Sequence, residues 1–237
     1  MKILISGHTG QVAQALQHAL ADHQLLSLGR QAFDLEQPAS LRETVLRERP
    51  QLLINAAAYT AVDLAEQEPE RAFAVNAEAP GAMAKACAEL GIPLIHYSTD
   101  YVFDGSKNGA YHEDDASNPL GVYGASKLAG EQAVAASGCE HLILRTSWVY
   151  SRHGRNFLLT MQRLLQEREE LKVVDDQIGA PTWAGSIAAA SAELIQAWQQ
   201  GNRHWGTYHL TNQGQTSWFG FAQAIAEHLR AAGKPCA

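Results

Sequence analysis

The sequence predicts an α/β fold, a doubly wound parallel sheet with helices on both faces, followed by a smaller C-terminal region. Three observations carry this. Short apolar runs alternate with longer amphipathic stretches as far as residue 147, the rhythm of βαβ units whose strands are buried on both faces. A glycine turn stands where the first run must become the first helix. The chain has 237 residues, 46% of them hydrophobic, enough for a sizeable core without disulfides or metal.

Element by element, KILIS (2–6) reads as the first strand, and the helical pattern from Gly10 to Ala21 follows it. LLSL gives a second strand, a helix runs from about Ser40 to Arg49, and LLINAAA is the third strand. A helix near Glu78 to Leu90 is stopped by Gly91-Ile92-Pro93, and strand PLIHYS follows. A polar loop from Asp104 to Asn118 leads to a helix from Val122 to Ala136 and strand HLILRT. Beyond Trp148 the regularity loosens into a helix near Asn156 to Glu167, a short run LKVV, a helix from Trp183 to Trp198, strand GTYHL and a last helix from Ser217 to Ala231. The expected division is residues 1–147 and a second region, 148–237, interleaved with the sheet. Gln199 to Asn202 is the expected exposed loop.

Composition removes several classes of function. With 18 basic and 25 acidic residues the formal charge is -7, and no Lys/Arg cluster offers a face to a phosphate backbone, so nucleic acid is not an expected partner. No run approaches the ~20 apolar residues of a membrane span, and Gly7 arrives too early for a secretory signal. Cys87, Cys139 and Cys236 are odd in number and widely spaced, which fits a reducing cytoplasm and no disulfide framework. The ten histidines include no recognised ligand spacing, and no metal site is expected.

Gly7-His8-Thr9-Gly10-Gln11-Val12-Ala13 lies between the first strand and first helix, the context a dinucleotide-binding turn requires. Glycines let the backbone approach a pyrophosphate, and the helix N-terminus adds free N–H groups and partial positive charge. The spacing is G-x-x-G-x-x-A, with Ala13 still permitting close packing of helix on strand. At the end of the second strand, Ser27-Leu28-Gly29-Arg30 holds an arginine and no carboxylate. That predicts NADPH rather than NADH, with Arg30 pairing the 2′-phosphate; NADH is the alternative.

Tyr123 and Lys127 are four residues apart at the start of a predicted helix and so share one face. Reducing a ketone requires a proton on oxygen, and a phenol can supply it if a neighbouring ammonium stabilises its anion. Upstream, Tyr97-Ser98-Thr99-Asp100 ends the fourth strand, where the hydroxyl of Ser98 or Thr99 can reach a substrate oxygen. The carboxyl ends of such strands are where ligands bind.

Together GHTGQVA, INAAAYTAVDLAEQEP, VNAEAP, HYSTDYVFDG, VYGASKLAGE, RTSWVY and DDQIGAPT resemble the extended short-chain dehydrogenase/reductases, and most closely their dTDP-4-dehydrorhamnose reductase branch. The resemblance implies a Rossmann-like dinucleotide-binding domain over 1–147 and a substrate-binding region after it. It implies reduction of the C4 ketone of dTDP-4-dehydro-L-rhamnose by NADPH, in a pathway that supplies lipopolysaccharide O-antigen. Tyr123 is then the proton donor, Lys127 its tuner and ribose contact, and Thr99 the hydroxyl on the carbonyl. Asp100 would bind the sugar and Trp148 line its pocket.

By the same match Gly7, Thr9, Gly10, Gln11 and Val12 form the pyrophosphate turn, and Asp34 and Leu35 lie on the adenine side. Ala58, Tyr59, Thr60 and Tyr97 flank the cofactor's inner half, Tyr59 standing where the branch has histidine. A homodimer is compatible with the resemblance. Two other readings share these motifs: another nucleotide-sugar 4-ketoreductase, and a non-catalytic NADP-binding regulatory subunit. The branch usually continues several dozen residues past the helix ending near Ala231, with a segment that closes over the nucleotide. Without such a tail the nicotinamide half is expected intact, and nucleotide-sugar affinity is the property left open.

Overall fold

Strand residues alternate between two apolar faces, and both faces are covered. The computed structural model describes residues 1–234 and Cys236. In chain order the first half comprises β1 (Lys2–Ser6), α1 (Gln11–Ala19), β2 (Gln24–Leu28), α2 (Pro38–Glu48), β3 (Leu52–Asn55), α3 (Val62–Ala65), α4 (Pro69–Phe73), α5 (Ala79–Leu90) and β4 (Leu94–Thr99). The second half comprises α6 (Val122–Ala135), β5 (His141–Thr146), β6 (Val149–Tyr150), α7 (Phe157–Glu167), β7 (Ile178–Gly179), β8 (Thr182–Trp183), α8 (Ala184–Gln199), β9 (Gly206–His209), β10 (Thr216–Ser217) and α9 (Trp218–Ala231).

The main sheet has the order β2-β1-β3-β4-β5-β9, and every pair in it is parallel. This is the doubly wound, Rossmann-like α/β architecture. On one face Ile3, Ile5, Leu52, Ile54, Ile95, Leu142 and Leu144 pack on Leu16 of α1 and Ile187 of α8. On the other, Leu4, Leu53, Leu94 and Ile143 pack on Leu41 of α2, Met83 of α5 and Val134 of α6. Burying each such side chain contributes about 1.5–3 kcal/mol, so the two clusters hold the sheet between its helix layers. The direction of crossover reverses between β2 and β3, on either side of β1. A parallel sheet opens a crevice at the carboxyl ends of the strands at such a switch point, here beyond Ser6 and Asn55.

The elements up to β5 stand where the hydrophobic rhythm puts them, and β5 matches HLILRT residue for residue. The stretch before α5 differs. Two short helices, α3 and α4, and a π-helical turn at Ala74–Glu78 fill it, so the helix expected to start at Glu78 is preceded by helical structure. Pro80 has no N–H to return to the carbonyl of Asn76, which removes one α-type bond and accounts for the wider turn there. Leu171 and Val173 of LKVV pack against the cluster of α7 and α9 but pair into no strand.

Residues after Trp148 go to two places. α8 lies on α1 and β9 adds to the sheet beside β5, while α7 and α9 share a separate small core of Met161, Leu165, Ala222, Ile225 and Leu229. No helix of the described residues is long and apolar enough to cross a membrane.

Helix α6 is drawn unusually close to its neighbours. A methyl group on Gly124 would stand 2.2 Å from the Tyr101 carbonyl oxygen, and one on Gly130 would stand 2.0 Å from the Asn76 carbonyl oxygen. Both obstacles are backbone, which cannot swing aside as a side chain can. Gly130→Ala is therefore expected to lower stability by about 3 kcal/mol or more, and an unchanged midpoint in denaturant would refute this account of α6.

Candidate active site

Gly7 ends β1 with φ +92°, a conformation that favours glycine, and its N–H continues the ladder to the Leu28 carbonyl at 2.8 Å. Gly10 is the N-cap of α1 in extended backbone, with no side chain capping the helix and no acid in its first turn. A methyl group on Gly10 would meet nothing within 4 Å, so the protein's own packing does not require glycine there. The room is on the outer side of a helix N-terminus, as close approach of a pyrophosphate demands, and the turn fits a dinucleotide. Thr9 is exposed and Val12 half-buried. Gln11 faces the second region, its Oε1 accepting from Asn156 Nδ2 at 2.7 Å.

At the end of β2, Arg30 is not a free cation. Its guanidinium reaches Asp34 at 3.7 Å and pairs closely with Glu36, which also accepts from Arg71 Nε at 2.9 Å. The stretch 27–30 contains no carboxylate, but the turn after it brings two against Arg30. Leu35 turns into the core and leaves Asp34 half-buried beside it. From Arg71 the chain of contacts continues through Glu68 to the Tyr59 hydroxyl, which donates to Glu68 Oε2 at 2.8 Å. Loss of water contact, then the Glu68 bond, raises the Tyr59 pKa. Ala58 and Thr60 are exposed on either side of Tyr59.

Tyr97 enters differently from the expectation. Its ring lies in the core with its hydroxyl 2.7 Å from Ser191 of α8, and only its carbonyl faces α6, accepting from Lys127 Nζ at 2.7 Å. Alternation along β4 dictates this: Tyr97 points to the α1 and α8 side and His96 to the α6 side. Lys127 is 2% exposed, and burial pulls its pKa down to about 8 against the opposing effect of Glu131.

At the end of β4 the backbone turns through a short helical segment at Asp100–Val102, with the Thr99 hydroxyl accepting from the Tyr101 N–H at 3.2 Å. The same hydroxyl donates to Asp100 Oδ1 at 3.1 Å and is close enough to the Tyr123 phenol to draw its pKa down. Burial dominates nonetheless, pushing Tyr123 up to about 12. The expected lowering of Tyr123 by Lys127 is not found: the ammonium is held on the Tyr97 carbonyl, and desolvation outweighs every other influence on the phenol. Burial also raises Asp100, to about 6. The Tyr101 ring packs edge-on to Tyr123 at 5.5 Å. Ser98, the other candidate hydroxyl, is buried with no partner among the described residues, so the strand end presents Thr99.

Trp148 has φ +46° and stacks on Trp218 at 3.5 Å. A methyl group on Gly179 would fall 2.5 Å from its indole, so β7 passes directly against the ring.

Residue-by-residue reading of chemistry missed Asn76. It is 1% exposed on the π turn. Its Oδ1 accepts from the Tyr59 N–H at 2.9 Å, and its Nδ2 donates to the Tyr59 carbonyl at 3.0 Å and to Ser126 Oγ at 3.1 Å. Ser126 Oγ donates in turn to the Tyr123 carbonyl at 2.7 Å. Asn76 thus ties the loop after β3 to the helix bearing Tyr123. The only sequence trace was its place in VNAEAP, four residues before Pro80.

The family model for the RmlD substrate binding domain matches residues 1–237. The chain belongs to this family. It is 49% identical over 236 residues to a dTDP-4-dehydrorhamnose reductase of Burkholderia thailandensis, covering 98% of this chain and 79% of that one. To the dTDP-4-dehydrorhamnose reductase of Escherichia coli K12 it is 47% identical over 242 residues, 100% of this chain and 81% of the relative. The crystal structure of dTDP-4-dehydrorhamnose reductase from Bacillus anthracis in complex with NADP matches with a TM-score of 0.92 at 37% identity, over 100% of this chain and 82% of that one.

The raised pKa of Asp100 has a thermodynamic sign. A folded value of about 6 against 3.8 means that the folded state favours the protonated acid; its contribution is full below pH 3.8 and lost as pH rises through about 6. Asp100→Asn, which keeps an acceptor for Thr99, is expected to raise stability at pH 7 by about 1–2 kcal/mol, after allowance for partial exposure. That gain should vanish near pH 4. Thermal unfolding at the two pH values checks it, and a gain independent of pH would contradict the assignment.

Proposed function

We propose that the protein reduces the C4 ketone of dTDP-4-dehydro-L-rhamnose to dTDP-L-rhamnose with NADPH, and that Thr99, Tyr123 and Lys127 carry the proton chemistry. Support comes first from the meeting of the Thr99 and Tyr123 hydroxyls at the carboxyl end of β4, above a buried Lys127. The activity named for the Burkholderia and Escherichia relatives and the NADP in the Bacillus structure agree with it.

NADPH, when bound, supplies the hydride for the carbonyl carbon. The residues of the chain do the rest. A phenol with a pKa of about 12 carries its proton at neutral pH, so Tyr123 stands ready to donate to the C4 oxygen as negative charge grows there. The Thr99 hydroxyl, held by the Tyr101 N–H, would turn its one proton from Asp100 Oδ1 to that oxygen and so give it a second hydrogen bond. Lys127 is mostly charged below pH 8 and is fixed by the Tyr97 carbonyl; its remaining N–H groups would bind the cofactor ribose. Gly7, Thr9, Gly10, Gln11 and Val12 would hold the pyrophosphate. Ala58, Tyr59, Thr60 and the Tyr97 backbone would flank the inner half of the cofactor, and Asp34 with Leu35 the adenine side. Asp100 and Trp148 would contact the sugar; residues 1–147 would form the cofactor-binding domain, with Thr99 and Asp100 reaching the substrate from it, and residues 148–237 the substrate-binding region. The setting would be a cytoplasmic pathway feeding O-antigen synthesis.

Incubating the protein with NADPH and enzymatically generated dTDP-4-dehydro-L-rhamnose tests the reaction through loss of absorbance at the nicotinamide band. Wild type should consume NADPH and Tyr123→Phe should slow it by about 100-fold or more; equal rates would discard the proton-donor role.

Cofactor choice has its own test. A 2′-phosphate must compete with Asp34 and Glu36 for Arg30, so Arg30→Ala should raise the KM for NADPH severalfold and leave that for NADH nearly unchanged. Equal losses for both cofactors would remove Arg30 from the phosphate site.

A further inference from the structure

We infer that Glu66 is a positioning residue for Tyr123, supplying the cap that α6 lacks; this rests on the reductase reading above. Helix α6 begins at Val122, and its N-cap Gly121 has extended backbone (φ −134°, ψ 168°) and no side chain to bond the first-turn N–H groups. The first turn contains no acid either. Such N–H groups have no acceptor within the helix and must find one elsewhere.

Glu66, just past the end of α3, provides it from 56 residues away in sequence. Its Oε1 accepts from the Val122 N–H at 2.7 Å. The glycine at 121 makes the approach feasible, because a methyl group there would stand 2.8 Å from the same oxygen. The carboxylate also lies at the positive end of the helix dipole.

Tyr123 is the next residue. Its carbonyl is fixed from the following turn by Ser126 at 2.7 Å, and Glu66 fixes the peptide between Gly121 and Val122, one residue before it. The backbone bearing the phenol is therefore gripped on both sides, on one by the buried Asn76–Ser126 pair and on the other by an exposed carboxylate. Because Glu66 is exposed, its removal opens no cavity. The first turn of α6 loosens while the core and the pyrophosphate turn stay as they are.

Glu66→Ala and Glu66→Gln in the full chain separate this role from a merely structural one, since glutamine keeps an oxygen acceptor. Hydrogen exchange at the Val122 amide should accelerate about tenfold in Glu66→Ala and much less in Glu66→Gln. With NADPH and dTDP-4-dehydro-L-rhamnose, Glu66→Ala should lose about fivefold or more in kcat while the KM for NADPH and the melting temperature barely move, and Glu66→Gln should recover most of the rate. Unchanged protection of Val122 in Glu66→Ala, an unchanged kcat, or a glutamine variant as impaired as the alanine one would overturn the inference. A wild type that turns over nothing would instead sink the reductase reading, and amide exchange would then decide alone whether Glu66 holds α6.

Discussion

The close seating of α6 against the end of β4 and the π turn is the constraint on which the site depends. Gly124 and Gly130 allow it, each facing a carbonyl oxygen at a distance no side chain tolerates. One turn of that helix carries Tyr123 to Thr99, and the next carries Lys127 to the carbonyl of Tyr97. Were the helix further out by the thickness of a methyl group, neither contact would form. The motif VYGASKLAGE therefore combines two requirements, reactive groups at a spacing of four and glycines on the packed side.

The seam under α6 is polar, which is unusual for a helix on a parallel sheet. Glu131 and Arg145 form a buried pair with bonds of 2.7, 3.0 and 3.2 Å. Ser6 donates to Asn55 at 2.5 Å, and Asn55 Nδ2 approaches His96 Nδ1 at 3.0 Å. Removing one member of such a network leaves its partner buried and unpaired at a cost of about 1–3 kcal/mol, more for a charge. Burial, with the Lys127 ammonium nearby, keeps His96 neutral. Of these contacts, the Glu131–Arg145 pair joins α6 to β5, while the Ser6–Asn55–His96 chain links β1, β3 and β4 beside it.

The cofactor crevice follows from topology. The crossovers on either side of β1 run in opposite directions along the sheet, and Gly7 and Gly10 stand at the gap. The second region returns to this gap through Asn156 on Gln11 and through α8 on α1, while β9 extends the far edge of the sheet beside β5.

The order of strands and helices was legible because both-face burial writes itself as unbroken apolar runs, and α6 was legible from its period and its Tyr–Lys spacing. The glycine turn could be read for the same reason: its chemistry is local. Partners brought together by an irregular turn or by the assembled sheet could not be read. Nothing in Ser27–Arg30 announces that Asp34 and Glu36 fold back onto Arg30, and nothing in Tyr97 says that its ring belongs to the core and only its carbonyl to the site. The rise of Tyr123 to about 12 is likewise a property of burial, which one chain segment does not possess alone. Local periodicity and residue type thus determined the elements and the candidate chemistry. Desolvation and long-range pairing, which exist only after the strands have assembled, decided charge states, which atoms face the crevice and what holds α6 in place.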